Sequence, residues 1–535
     1  MLAVSLGSVA CAVVTGFVTA RVGASFSRRL RSLEFSKVES FGPAELNGFS
    51  TASLITRSTN DITQIQMFIT MGLLMLVRSP IMAVWAVCKI AGKGFEWTLA
   101  TGIAVVILIA VVALLMALVM PKFRAMQTLT DNINRVAREN LTGLRVVRAY
   151  NAEAYQEAKF DKANTELTET QLFTNRTMAV MMPLMNSVMN GLMLAVYWIG
   201  AVLIQAAALG DKLTLFSNMV VFSSYSVQVI MSFLLMSMVF VLWPRADVSA
   251  HRVMEVLNTE PTIVDGELAE GERAADGTPV RGRVEFRDVS FTYPDSREPM
   301  LEHVSFTAEQ GQTVAFIGST GSGKSTLINL VPRFYDATEG QVLVDGVDVR
   351  DYQLKALRDK IGYVPQKSVM FKGTVASNVT YGDGVTGVTG QEAGDDSVRA
   401  ALDVAQASEF VDKMADGADS AIAQGGSNVS GGQKQRLSIA RAVWRHPEVL
   451  IFDDSFSALD FRTDREVRDA LAHECASSTK LIVAQRIGTI MNADQIIVLE
   501  DGRVVGQGTH KQLLDTCEVY REIAESQLSE KELAV

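Results

Sequence analysis

The sequence is short of charge and cysteine, and each shortage excludes something. Charged side chains make up 20% of the 535 residues, against 48% hydrophobic, and mean hydropathy is +0.20. A chain this apolar is not disordered, collagen-like or a small disulfide scaffold. The four cysteines, Cys11, Cys88, Cys475 and Cys517, are scattered and form no CxxC pair. That removes zinc and thioredoxin-type sites and leaves small buried residues in a reduced compartment. No internal repeat of about 20–50 residues runs through the chain. At roughly 150 residues per domain, the length corresponds to two to four domains.

The net charge of −10 conceals an asymmetry. Residues 1–257 carry 21 basic and 15 acidic side chains, and the remainder carries 28 basic and 44 acidic. The acidic second half lacks the clustered Lys and Arg of a nucleic-acid groove, so no nucleic-acid partner is expected. The basic, apolar first half fits a membrane domain with cationic loops in the cytosol.

Five apolar stretches, near 1–22, 67–90, 97–120, 178–206 and 215–243, reach the roughly 20 helical residues that cross a bilayer. The first is not a signal peptide, because its charges, Arg21, Arg28, Arg29 and Arg31, follow the apolar run instead of preceding it. Those arginines place 23–66 in the cytoplasm, with the long charged stretch from Lys122 to Arg176 and everything after Trp243 on the same side. An odd number of spans leaves the N-terminus outside. Arg78 interrupts the second span, either as a charge in a translocation path or in protein or water near the end of a long helix. Methionines crowd 178–193 at helical spacing, a pattern of packing filler or of a pliable cavity wall. These features predict an α-helical transmembrane domain over 1–250. A polar, acidic linker over 258–283 follows. Residues 382–398 read as a surface insertion and 521–535 as a C-terminal tail.

The segment 284–520 has the pattern of an α/β nucleotide-binding domain. The apolar run 313–317 precedes Gly318, Ser319, Thr320, Gly321, Ser322, Gly323, Lys324 and Ser325, and Thr326 opens a helical pattern. This is GxxxxGK(S/T) between a strand and a helix, the P-loop context. Glycines let backbone N–H groups curl round phosphate oxygens, and the helix N-terminus adds its positive dipole end. Lys324 reaches for the β- and γ-phosphates of ATP, and Ser325 for Mg²⁺. A second apolar strand, Val449 to Phe452, ends in Asp453 and Asp454. An acid at that strand end, opposite a P-loop, is where a Mg²⁺-coordinating carboxylate belongs, and Asp453 takes that place.

Between these motifs lies Ser430-Gly431-Gly432-Gln433. With it, nearly the whole chain resembles an ATP-binding cassette exporter half-transporter, membrane domain first and cassette second. The resemblance implies an ATPase in the cell membrane with its cassette in the cytoplasm, a second half-transporter as partner, and a small-molecule, peptide or lipid cargo. It implies ATP contacts from Gly318 to Thr326 and from the SGGQ signature, Ser430 to Gln433, across a subunit boundary. Tyr293 resembles the adenine-stacking aromatic, and Gln366 the Q-loop residue that touches Mg²⁺. Asp454 stands where the family polarises the attacking water, and Ser457 to Asp460 resemble the D-loop. The stretches Phe41–Asn47 and Arg148–Glu153 fall where the family's coupling helices dock.

Two departures concern one site. After the strand 481–484 the family places a switch histidine, and this chain has Gln485; the water-polarising residue is Asp454 where the family has Glu. An Asp carboxylate sits about 1 Å short, enough to cost about 10²-fold in rate. Gln can hydrogen-bond a γ-phosphate but cannot carry a positive charge. With the signature intact, this pattern resembles the degenerate-site subunit of a heterodimer. The competing expectations are a non-hydrolysing regulatory subunit, or an importer on an exporter-like fold. The family also has six spans where five are seen here, which implies that its first helix is missing.

Overall fold

In the computed structural model, residues 2–382 and 395–528 are described, and the chain divides into two compact units. One comprises residues 1–38 and 52–258; the other comprises 39–51 and 259–535. Most of the predicted insertion, 383–394, and the last residues, 529–535, lie outside the described residues.

The first unit is a bundle of long helices. Helix α1 runs Leu2–Glu39, α3 Thr51–Ile90 and α4 Phe95–Thr142, and the short α2, Pro43–Gly48, falls between α1 and α3 in the chain. They are followed by α5 Leu144–Ala149, α6 Glu153–Ala206 and α7 Lys212–Asn258. Among the described residues, five helices are long and apolar enough to cross a membrane, in the places the sequence indicates. At 1.5 Å per residue the 48-residue α4 is about 70 Å long, more than twice the ~30 Å hydrocarbon core, so its far half lies outside the bilayer.

The bundle core brings together Ala86 and Ile90 of α3, Trp97 and Leu108 of α4, Met185, Leu192 and Val196 of α6, and Phe222 and Ile230 of α7. Trp97 is fully buried and donates its indole N–H to the Val196 carbonyl at 3.0 Å, which removes the cost of burying a lone donor. The methionine-rich run of α6 divides: Met185 is in the core, Met181 and Met189 flank it, and Met182 is exposed. Helix α1 lies on α3 through Gly23, where a Cβ would collide with Thr70, and through Ser27, which donates to Gln66 Oε1 at 2.7 Å.

Helix α3 contains two π-helical turns, Arg57–Asp61 and Phe68–Gly72. A π turn advances the side chains by less than an α turn and so re-aims a helix face. Here it helps turn both Arg57 and Asp61 to α7. Arg57 Nη1 meets Glu255 Oε2 at 2.7 Å, and Asp61 Oδ2 meets Arg252 Nη1 at 3.2 Å. Asp61 Oδ1 accepts from Ser249 Oγ at 2.9 Å.

The second unit has two principal sheets. Its strands are β1 Val284–Phe291, β2 Leu301–Ala308, β3 Thr313–Gly318, β4 Glu339–Val344, β5 Val347–Asp348 and β6 Ile361–Val364. Then come β7 Gly373–Thr374, β8 Ala421–Ile422, β9 Val449–Asp453, β10 Thr479–Val483, β11 Gln495–Glu500 and β12 Arg503–Gly508. One sheet has the order β2-β1-β4-β5 and is antiparallel; β7 and β8 form a separate pair. The other has the order β12-β11-β3-β10-β9-β6 and is parallel except for β12. Phe306 of β2 packs edge-on against Phe316 of β3 at 5.3 Å, within a shared core.

Two sequence boundaries are refined. Residues 259–283 contain no helix or strand of their own but lie along the antiparallel sheet as a strap, bridged at Leu268 to Tyr352. The helix Glu518–Gln527 has Ala524 fully buried in the cassette core, so the cassette continues past residue 520, where the sequence places the start of a tail.

Helix α2 belongs to the second unit, although the chain enters and leaves it from membrane helices. Gly42 caps it, with its N–H donating to Glu45 Oε2 at 2.8 Å. The other oxygen of Glu45 accepts from Thr262 N at 2.9 Å and Thr262 Oγ1 at 2.7 Å. Burial alone would raise this carboxyl, but the hydrogen bonds from Thr262 and Gly42 hold it below its usual range.

Candidate functional site

The parallel order of β3, β10, β9 and β6 determines what meets at one edge of the sheet. All four strands end on the same side, the crevice where open α/β sheets bind ligands. Strand β3 delivers the P-loop, β9 delivers Asp453 and Asp454, and Gln485 and Gln366 each lie two residues beyond the ends of β10 and β6. Strand register carries the alignment: Val483 pairs with Asp453 on one side and Phe316 on the other.

The P-loop turns into helix α8, Lys324–Leu330. Gly323 has φ +92°, and a Cβ there would come within 2.7 Å of Leu301, so the turn needs glycine on two counts. Lys324 is nearly buried. Its ammonium donates to the Gly318 carbonyl at 2.9 Å, the Ser319 carbonyl at 2.6 Å and Ser322 Oγ at 3.2 Å. Burial lowers its pKa, against the pull of Asp454 and Asp453. Ser325 Oγ donates to Asp453 Oδ1 at 2.6 Å. Burial holds the Asp453 carboxyl above its usual range, with the Ser325 bond opposing.

Asp454 has φ +49°, a left-handed conformation that Asp tolerates better than most residues. Its N–H donates to the Val483 carbonyl at 3.1 Å. Its Oδ2 accepts from Gln485 Nε2 at 2.8 Å and from Gln366 Nε2 at 3.3 Å. The next residue, Ser455, donates its Oγ to the Val364 carbonyl at 2.9 Å and ties the end of β9 to β6. One face of this carboxylate is thus held by two neutral amides.

Tyr293 follows β1, and its hydroxyl shares a 2.8 Å hydrogen bond with Thr326 Oγ1 on α8. Ser319, Thr320 and Gly321 form the outer turn of the loop. The signature lies at the start of helix α9, Gly431–Trp444, away from these contacts. Ser430 is its N-cap, and Ser430 N donates to Gln433 Oε1 at 2.8 Å in a capping box. A Cβ on Gly432 would lie 3.3 Å from the Ala458 carbonyl, so the signature abuts the Ser457–Asp460 segment. The structure brings together the P-loop, Tyr293, Gln366, Asp453, Asp454 and Gln485, and Ser430–Gln433 lies beside the Ser457–Asp460 segment.

Sequence reasoning missed two residues. Gln527, in the C-terminal helix, donates Nε2 to the Gln485 carbonyl at 2.9 Å and accepts from Ile487 N at 2.9 Å. No local signal marks it. Tyr335, five residues past α8, lies edge-on to Tyr293 at 5.3 Å. An aromatic just beyond the P-loop helix was its only mark.

A P-loop site on a parallel sheet, following a bundle with five span-length helices, defines a nucleotide-driven membrane transporter. The comparisons agree: residues 1–233 match the ABC transporter transmembrane region and residues 301–457 the ABC transporter domain. The chain belongs to the ATP-binding cassette transporters. It is 41% identical to an ABC transporter ATP-binding protein of Mycobacterium tuberculosis over 98% of this chain and 88% of that one. It is 34% identical to an ATP-dependent lipid A-core flippase of Aromatoleum aromaticum, over 93% and 80%. A solved bacterial Atm1-family ABC exporter with ATP bound shares the fold with a TM-score of 0.81 at 26% identity, over 99% of this chain and 90% of that one. The protein is an exporter-type ABC transporter chain that spans the membrane several times.

Proposed function

We propose that this chain is one half of an ATP-driven exporter, that it pairs with a different half-transporter, and that its own nucleotide site hydrolyses slowly. The observation behind this reading is the environment of Asp454. Its Oδ2 is engaged by Gln485 and Gln366, and the position where an imidazole could supply charge holds a neutral amide. A short carboxylate tied on one face by two amide donors is a poor partner for an attacking water.

Binding is better provided for than chemistry. Phosphate oxygens arriving at the loop can take over Lys324, whose ammonium is held by loop oxygens. The adjacent oxygens of Ser325 and Asp453 form a hard donor set suited to Mg²⁺, and Gln366 lies on the neighbouring Asp454. Mg²⁺ bound there would neutralise charge on the phosphates. Asp454 and Gln485 would orient water, and Ser430–Gln433 would complete the partner's site. Relatives named lipid A-core flippases support a lipid-class cargo.

The test has two arms. Tagged chain purified in mild detergent from its native host should bring down one partner at equal stoichiometry, with Glu and His at the matching positions. Asp454→Glu with Gln485→His should raise ATPase at this site by roughly 10²-fold. A homodimer that turns over at full rate with Asp454 and Gln485 in place would overturn the proposal.

A further inference from the structure

Strand β10 hands the chain to Gln485 at a point where the sheet ladder stops. Its last bond runs from Ala484 N to the Phe316 carbonyl, at 3.1 Å. Three residues on, the short helix Ile487–Ile490 begins, and its first N–H has no acceptor inside the helix. Arg486, between the two, has extended backbone. Gln527 bridges this gap with both ends of one side-chain amide. Its Nε2 donates to the Gln485 carbonyl at 2.9 Å, and its Oε1 accepts from Ile487 N at 2.9 Å. Gln527 itself stands on a fixed base, as the last residue of the helix Glu518–Gln527. Tyr520 and Ala524 of that helix are fully buried, and the Tyr520 hydroxyl shares a 2.7 Å hydrogen bond with His510 Nδ1. Arg521 donates to the Leu514 carbonyl at 2.7 Å and the Asp515 carbonyl at 3.0 Å. The side chain of Gln485 in turn donates to Asp454 Oδ2 at 2.8 Å. One tether thus runs from the C-terminal helix, through the Gln485 backbone, to the carboxylate of the nucleotide site.

We infer that Gln527 is a positioning residue for hydrolysis: it fixes the backbone on either side of Arg486 and so keeps the Gln485 amide on Asp454. This deepens the reading of Asp454 and Gln485 as a slow hydrolytic pair and rests on it. A side chain can hold one orientation only as well as the backbone that carries it. Past Ala484 the sheet no longer fixes that backbone, and the Gln527 amide takes over. Without it, the Gln485 carbonyl and the Ile487 N–H turn to water, and the peptide planes between them gain freedom. The Gln485 amide then leaves Asp454 for part of the time, and the water-orienting pair comes apart. The phosphate contacts of Lys324 and Ser325 belong to other segments. Loss of Gln527 therefore acts on the rate of hydrolysis and not on the binding of ATP.

The test is single-turnover phosphate release on the full-length transporter in detergent, loaded with radiolabelled ATP and Mg²⁺ and chased with unlabelled ATP. A slow site beside a faster one gives two phases, the slow one from this chain. Gln527→Ala should leave the loaded label and the fast phase unchanged and retard the slow phase by roughly tenfold, within what a misplaced group costs. Gln527→Glu keeps an acceptor for Ile487 N but sets a second acceptor against the Gln485 carbonyl, and it should be as slow as the alanine variant. In a Gln485→Ala background, which has no amide to position, Gln527→Ala should retard the slow phase no further. An unchanged slow phase in Gln527→Ala, full rate in Gln527→Glu, or multiplied effects in the double variant would each overturn the inference. A single phase for all the label means two like sites and sinks the heterodimer reading alone; the same variants are then read on that phase. If half the label is never hydrolysed, the slow-hydrolysis reading fails, and the positioning role with it.

Discussion

Asp345 is fully buried beneath the strap. Its Oδ2 accepts from Lys360 Nζ at 2.8 Å and its Oδ1 from Arg283 N at 3.1 Å, and Lys360 is shared with Glu448 at 2.9 Å. Burial pushes this carboxyl up to about 6, from 3.8, against the downward pull of Lys360. A folded-state value above the unfolded one means that the folded protein binds the proton more readily. The contribution to stability is complete below the unfolded value and is lost as pH rises through about 6. Asp345→Asn should therefore flatten this part of the stability profile between about pH 4 and pH 7. The check is the thermal midpoint of the purified protein in detergent across that range; a variant profile parallel to the wild type would refute it. The residue scale also shows what local sequence reveals. The P-loop is legible because its glycines and Lys324 act within one short segment whose backbone must curl. Gln485 was legible only against a family pattern. Gln527 was not legible at all, because it reaches Gln485 from another helix, 42 residues on.

At the scale of elements, the apolar runs located the membrane helices, but they could not show how far each helix extends. Length past the bilayer is set by charged residues that no hydropathy run contains. The first part of α3 is held to α7 by Arg57, Asp61, Arg252 and Glu255, with Arg57 and Asp61 nearly buried. Removing one partner of such a pair strands the other. Arg252→Met should thus destabilise the bundle by about 3 kcal/mol, and Asp61→Asn added to it should cost less than the two single changes together. Denaturation of the four proteins of that cycle in detergent measures the coupling; strictly additive effects would show that the pair does not hold these helices. The π turn at Arg57–Asp61, which helps aim both side chains at α7, was invisible in the sequence. The turn lies where α3 packs against α7.

For the whole molecule, the division into units does not follow the order of the chain. Residues 39–51 leave the membrane helices and fold with the cassette, held by Glu45 on Thr262. A cassette cut at residue 259 loses that helix and leaves Thr262 and Ile263 uncovered. It should melt several degrees below the cassette transition of the full chain, and backbone amides around Thr262 should exchange faster. Calorimetry with hydrogen exchange on both proteins decides this; equal midpoints and equal protection would mean that α2 contributes nothing to the cassette.

By itself the sequence determined that the chain has a membrane half and a P-loop half. Hydropathy and backbone-demanding motifs are local, and each residue type carries its chemistry wherever the chain goes. The tertiary structure decided what the Asp454 carboxylate touches, that Ala524 is buried in the cassette core and which unit owns α2. Those outcomes depend on contacts between segments far apart in the chain. Strand order brings Gln366 and Gln485 to one oxygen, and burial of Ala524 and Glu45 settles where their helices lie.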